Sequence, residues 1–317
     1  MLVSIIIPAF NAERFILETV NSVLSQTYRS LEIIVVDDGS SDHTASIVRE
    51  LQGRDGRISL YNQDNQGSAA ARNSGIAHSN GELIAFLDAD DLWHSTKLEK
   101  QVDVFKRDPT IGLVYTWCRM IDTNGMIDGA TGASHTVKGY AFNRLLIENF
   151  VANGSVAMVR RDCLPQPTPF DPELKGNEDS YFYLRISAHH KVDFVPEYLV
   201  GYRWNTGANI SSNLQVQHQS HTLFIKKVLK EYPQTSLRLI KWSAAGLRFG
   251  QAQVAAKKGD VRTAVALTTA ALQQSWTFIF SPFFRRTMRL TLRYAYRRIS
   301  GAAQDRRHFL QANPKAW

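Results

Sequence analysis

Leu83-Ile84-Ala85-Phe86-Leu87-Asp88-Ala89-Asp90-Asp91 runs five apolar residues without interruption into three carboxylates. An apolar run with no polar alternation predicts a strand buried on both faces, as in a parallel sheet covered by helices. Its acids then sit at the strand's carboxyl end, the edge where open parallel sheets bind ligands. Oxygen donors so placed suit a hard divalent cation such as Mg2+ or Mn2+, with positions left for phosphate oxygens. The same acids would also make a solvated turn capping the next helix, and the segment alone does not choose.

Similar runs flank it at residues 3–7, 31–36, 58–61 and 112–115, separated by amphipathic stretches at 12–26, 42–51, 67–78 and 95–106. The alternation predicts an α/β fold: a parallel sheet with right-handed crossovers and helices on both faces. Asp42 is expected to cap the second helix, and Asp91 or Ser95 the fourth. From 119 to 212 the pattern is mixed, with loops such as Asp122-Thr123-Asn124-Gly125 and prolines at 165, 167 and 169. Beyond 213 it turns helical, at 213–231, 236–257, 260–274 and 282–300, with Gly259-Asp260 as a stop followed by an N-cap.

Hydrophobic residues make up 44% and charged residues 21%, a mix that supports a sizeable soluble core. Cys118 and Cys163 lie far apart with no metal-like spacing, which argues against a disulfide framework and for a reducing, cytoplasmic setting. The opening Met1-Leu2-Val3-Ser4-Ile5-Ile6-Ile7-Pro8 has no basic leader and reads as a first strand. No run approaches the roughly 20 apolar residues of a membrane span. The net charge of +8 is confined to the tail, since residues 282–317 hold nine Lys or Arg against Asp305 alone. There Arg285, Arg289, Arg293 and Arg297 recur every four residues beside an apolar row. Such a helix fits an anionic membrane surface, the alternative being a helix packed on the protein with a solvated basic edge. Without aromatic-interleaved basic grooves, nucleic acid is not an expected partner.

Three further segments carry chemistry. Val35-Val36-Asp37-Asp38-Gly39-Ser40 ends a strand in paired acids, and Asp38 at that edge can accept from a nucleobase imide or a ribose hydroxyl. Pro8-Ala9-Phe10-Asn11 follows the first strand where a dehydrogenase would carry GxGxxG. In Asn65-Gln66-Gly67-Ser68-Ala69-Ala70-Ala71-Arg72-Asn73, Gly67 opens a helix and Arg72 lies one turn in, within reach of base or phosphate.

Together with Ser22-Val23-Leu24-Ser25-Gln26-Thr27, these segments resemble, in order and over about residues 3–120, the family 2 glycosyltransferases of the GT-A fold. The resemblance implies a catalytic domain over 1–212, with a nucleotide-binding half at 1–118 and an acceptor-binding half at 119–212. Residues 213–317 form a helical extension. It places Pro8, Phe10, Asn11, Asp38, Gly67 and Arg72 around the nucleotide, and makes Asp88 and Asp90 the pair at ribose and metal. Asp91 stays a neighbour or a cap. More weakly, Gly176-Asn177-Glu178-Asp179 resembles the acidic motif that presents the catalytic base, which implies Asp179 for that role. Tyr202-Arg203-Trp204-Asn205 through Ser211 resembles a loop that closes over the donor, with Arg203 at the pyrophosphate and Asn205 where many relatives carry His. The implied activity is inverting transfer from a UDP- or dTDP-sugar to a glycan or lipid-linked acceptor. The competing reading is a non-catalytic sugar-nucleotide or glycan-binding module on the same fold.

Overall fold

A computed structural model describes residues 1–204, 214–257, 259–285, 288 and 308–312. The first four apolar runs become β1 (Val3–Ala9), β2 (Leu31–Asp37), β3 (Ile58–Asn62) and β4 (Leu83–Phe86), paired in parallel in the order β3-β2-β1-β4. They are joined through α1 (Ile16–Leu24), α2 (Thr44–Arg54) and α3 (Ser68–Ala77). Ile33 and Val35 pack with Val20 of α1 and Val48 of α2, whereas Ile34 and Val36 pack with Ala71 of α3. Successive strand residues face opposite sides, so helices cover both faces, as the unbroken apolar runs require. Pro8 is tolerated in this central strand for a local reason. The Ile6 carbonyl accepts from Leu87 N at 3.0 Å, and the β1–β4 register ends at Ile6 and Phe86. Pro8, two residues on, faces that same side beyond the ladder, where a missing N–H costs nothing.

The second half departs from a simple continuation. It comprises β5 (Leu92–Trp93), α4 (Lys97–Arg107), β6 (Ile111–Ile121), β7 (Ile127–Ala133), α5 (Phe142–Ile147), β8 (Ala157–Arg160), α6 (Glu178–Ser187) and β9 (Lys191–Arg203). The fifth apolar run, β6, does not pair with β4. β8 lies between them, antiparallel to both, and the order continues β8-β6-β9-β5 with β7 on the remaining part of β6. Ala157, Met158 and Val159 are wholly buried, but a strand of four residues is too short to show a period. One sheet therefore spans residues on both sides of 118, and β6 itself crosses that point.

Helix starts also differ from expectation. Neither Asp91 nor Ser95 caps α4; Thr96 occupies the N-cap, and the free N–H of Leu98 donates to Gln26 Oε1 at 3.0 Å. The Gln26 amide nitrogen donates to the carbonyls of Ser22 and His94, so this buried side chain clamps α1 to the start of α4. Asp42 Oδ1 accepts from Thr44 N at 2.9 Å where α2 begins. The expected cap at Asp260 is present, accepting from Thr263 N at 3.0 Å.

The extension consists of α7 (Leu214–Glu231), α8 (Leu237–Lys257) and α9 (Val261–Gln274), followed by a 3-10 turn at Trp276–Phe280. Ala245, Phe249, Ala271 and Phe278 form a small core with Ile147 of α5, which fixes the extension to the sheet domain. Among the described residues no helix is long and apolar enough to cross a membrane. The basic stretch 282–307, apart from 282–285 and 288, lies outside the described residues, as does the loop 205–211.

Candidate active site

The acidic turn after β4 is held from three directions. The Thr19 hydroxyl of α1, fully buried, reaches the carbonyls of Ala89 at 2.9 Å and Asp91 at 3.0 Å. Ser155 Oγ accepts from Asp88 N at 3.0 Å and donates to Asp91 Oδ2 at 2.5 Å. Arg203 N donates to Asp91 Oδ1 at 2.9 Å. Asp91 is wholly buried, and burial pushes its carboxyl well above the usual carboxylate range, with Asp90 and Asp88 adding to the rise. It is a strut joining the ends of β4 and β9, not a helix cap. Asp88 and Asp90 stay half-buried on the open side of the turn.

Arg72, 4% exposed, places one guanidinium among three carboxylates. Nη2 donates to Asp88 Oδ1 at 2.7 Å, while Nη1 lies 3.1 Å from Asp179 Oδ1 and 3.7 Å from Glu178 Oε1. Burial alone would lower its pKa, but Asp179, Asp88 and Glu178 together raise it, so the group is a fixed cation. The Asp179 contact is an ion pair without a directed hydrogen bond. Burial raises the Asp179 carboxyl to about 7, with Glu178 and Asp88 adding and Arg72 opposing. Glu178, its neighbour in the first turn of α6, is tied by Ser68 Oγ at 3.1 Å and Gly176 N at 2.6 Å. Two segments far from it in sequence thus converge on Arg72, leaving Asp179 the carboxylate poised to exchange a proton near neutral pH.

Other expected residues make contacts within the protein. Asp38, 3% exposed, accepts from Gln63 Nε2 (2.7 Å), Gln66 N (2.9 Å) and Gly67 N (2.8 Å). It shapes the loop leading into α3. Gly67 adopts φ 88°, a conformation that favours glycine. Asn11, at φ 48°, accepts from Ser41 N at 2.9 Å and donates its own N–H to Ser40 Oγ, bracing the turn after β2. Phe10 is half exposed and Pro8 partly buried at the same edge.

Arg203 is held within the protein. Its guanidinium is buried and donates to the Asp90 carbonyl (2.6 Å), the Thr123 carbonyl (2.8 Å) and Glu18 Oε2 (2.8 Å), while lying over the Phe15 ring. With those donors committed, it acts on the acidic turn from behind. Sequence reading missed Ser155, Glu18 and Gly154. A Cβ at Gly154 would fall 3.1 Å from Arg72 Nη2 and 3.5 Å from Asp88 Oδ1, so a side chain there would push the guanidinium by a few tenths of an ångström. Each reaches the site through contacts between segments far apart in sequence, for which no local motif gives a signal.

Among the described residues, no group of three or more His, Cys, Asp or Glu is placed to hold a metal ion. The two half-buried carboxylates Asp88 and Asp90 nevertheless fit a hard cation of the kind that takes one or two carboxylates and completes its shell from substrate phosphates.

Comparison with known proteins identifies the family. The Glycosyl transferase family 2 model matches residues 4–165. WfgD of Escherichia coli, a UDP-Glc:alpha-D-GlcNAc-diphosphoundecaprenol beta-1,3-glucosyltransferase, is 34% identical over 195 residues, 61% of this chain and 73% of that one. An uncharacterized glycosyltransferase of Nostoc sp. is 40% identical over 116 residues, so the match spans only 36% of that relative's length. Among solved structures, S. aureus TarS 1–349 in complex with UDP-GlcNAc aligns over 86% of this chain and 92% of its own, with TM-score 0.59 at 17% identity. The mannosyltransferase PcManGT of Pyrobaculum calidifontis, in complex with GDP-Man and Mn2+, aligns over 95% and 88%, with TM-score 0.53 at 20% identity. These likenesses establish the GT-A fold, and the family match covers half of the sequence. The chain is a glycosyltransferase and belongs to glycosyl transferase family 2.

Proposed function

We propose that the chain is an inverting glycosyltransferase that moves a sugar from a nucleotide donor, UDP-linked, to a hydroxyl of a glycan or lipid-linked glycan. The observation that carries this reading is the convergence of Asp88 and Asp179 on Arg72, with the Asp179 carboxyl raised to about 7. Asp179 takes the proton of the acceptor hydroxyl as its oxygen attacks the anomeric carbon. The bond to the nucleoside diphosphate breaks on the opposite side, which inverts that carbon. Arg72 keeps Asp88 and Asp179 in register and offsets their charge. Asp88 and Asp90 would hold the Mg2+ or Mn2+, which when bound neutralises charge on the diphosphate. The UDP donor and lipid-linked acceptor of WfgD support the corresponding assignments here. The basic stretch 282–307 would then lie against an anionic membrane surface, on the cytoplasmic side, where such acceptors reside.

The test is a panel of UDP-, dTDP- and GDP-sugars with Mg2+ or Mn2+, scored by nucleoside diphosphate release. Asp90→Ala should lose metal-stimulated turnover, and Asp179→Ala should lose transfer while binding UDP. Calorimetric binding without turnover across the whole panel would favour a non-catalytic binding module instead.

A further inference from the structure

Residues 308–312 return to the back of the acidic turn. Met126 and His308 form an isolated antiparallel bridge, and Phe309 N donates to the Gly125 carbonyl at 2.9 Å. Phe309 and Ala312 complete a separate apolar cluster with Leu92, Ile121 and Ile127. The seat is cut by two glycines. A Cβ at Gly125 would fall 2.5 Å from His308 Nε2, and one at Gly201 would fall 2.9 Å from Phe309 Cδ1. From this seat His308 Nε2 lies 3.5 Å from Glu18 Oε1, and the other oxygen of Glu18 holds Arg203 at 2.8 Å. Arg203 in turn donates to the Asp90 carbonyl and to that of Thr123, two residues before Gly125.

We propose that residues 308–312 are a latch that completes the donor side of the site: Phe309 anchors the segment, and His308 positions Arg203, through Glu18, against the turn carrying Asp88 and Asp90. His308 and Phe309 are positioning residues with no contact to substrate. A buried guanidinium contacting two carbonyls and one carboxylate holds a turn firmly only if that carboxylate is itself fixed. Glu18 is 39% exposed on its side chain, and His308 is what meets its second carboxylate oxygen. The latch makes the far end of the sequence part of a site otherwise built from residues before 204. The inference rests on the donor site proposed above, and its test separates the two.

Amide hydrogen exchange on the full chain reads the anchor directly. Phe309→Ala should speed exchange of amides in residues 121–127 and 200–204 about tenfold or more, while β2 amides, remote from the seat, stay unchanged and report an intact fold. Calorimetry with UDP and Mn2+ reads the consequence: His308→Ala should weaken binding about fivefold, and His308→Gln, which keeps a nitrogen donor, should recover most of it. Unchanged exchange in Phe309→Ala overturns the latch. So does UDP affinity in His308→Ala that equals or exceeds that of the unmodified chain; a rise would make the segment a plug. If the unmodified chain binds no UDP, the donor assignment fails, and the exchange measurement still decides the latch.

Discussion

Replacing Asp179 by Asn should move activity and stability in opposite directions. The side chain keeps its size but can no longer take a proton, and a positioned general base contributes roughly 100- to 10,000-fold to such a step. The pH response of the unmodified enzyme gives the sharper reading. With the carboxyl at about 7, transfer should rise through pH 7; at pH 6 about a tenth of the molecules carry the ionised base, so kcat/KM should fall about tenfold from its plateau. Stability runs the other way. Folding raises this pKa from 3.8 to about 7, so the folded chain holds the proton more tightly than the unfolded one. The stability that Asp179 contributes is whole below about pH 3.8 and is lost as the pH climbs through 7. Keeping the group ionised at pH 8 therefore costs the fold on the order of 4 kcal/mol, which the amide does not incur. Urea unfolding of both proteins at pH 5 and pH 8, beside nucleoside diphosphate release over the same range, checks each half. An Asn variant less stable than the unmodified chain at pH 8, or a rate flat between pH 5.5 and 8, would refute the reasoning.

Three other substitutions follow from the contacts. Asp38→Asn leaves one acceptor oxygen for donors from Gln63, Gln66 and Gly67, so urea midpoints should report a loss of about 1–3 kcal/mol. Donor binding should weaken with it, because the same loop aims α3. Gly154→Ala places a methyl 3.1 Å from Arg72 Nη2; kcat/KM should drop about tenfold while the unfolding midpoint barely moves, a split that a purely structural glycine would not give. Ser155→Ala removes both the acceptor for Asp88 N and the donor to buried Asp91, and should cost about 2–3 kcal/mol by thermal unfolding, with turnover reduced alongside.

The nucleotide half was legible because its signals are local. Runs such as Ile5-Ile6-Ile7 and Ile33-Ile34-Val35-Val36 state their own burial, and strands of that kind order themselves through short crossovers. Asp88, Arg72 and Asp179 were nameable from motif and helix position, and the fold brings them together. What stayed hidden depends on who arrives from elsewhere. The contacts of Asp38 with Gln63 and Gly67, and of Arg203 with Glu18 and Thr123, have no local signal in the sequence. Asp91 resembled a cap because nothing nearby announces Ser155, 64 residues on. β8 escaped for the same reason: its partners, not its four residues, make it a strand.

That strand has a consequence for how the chain comes off the ribosome. Ala157–Arg160 sits between β4 and β6, yet both neighbours are synthesised before it. At about 5–20 residues per second, the apolar edges of Leu83–Phe86 and of residues 113–115 wait several seconds for their common partner. Open edges of that kind invite pairing with another chain. Synthesis past residue 160 is therefore the step that closes these two edges, and a nascent chain stalled earlier is a natural client for a chaperone.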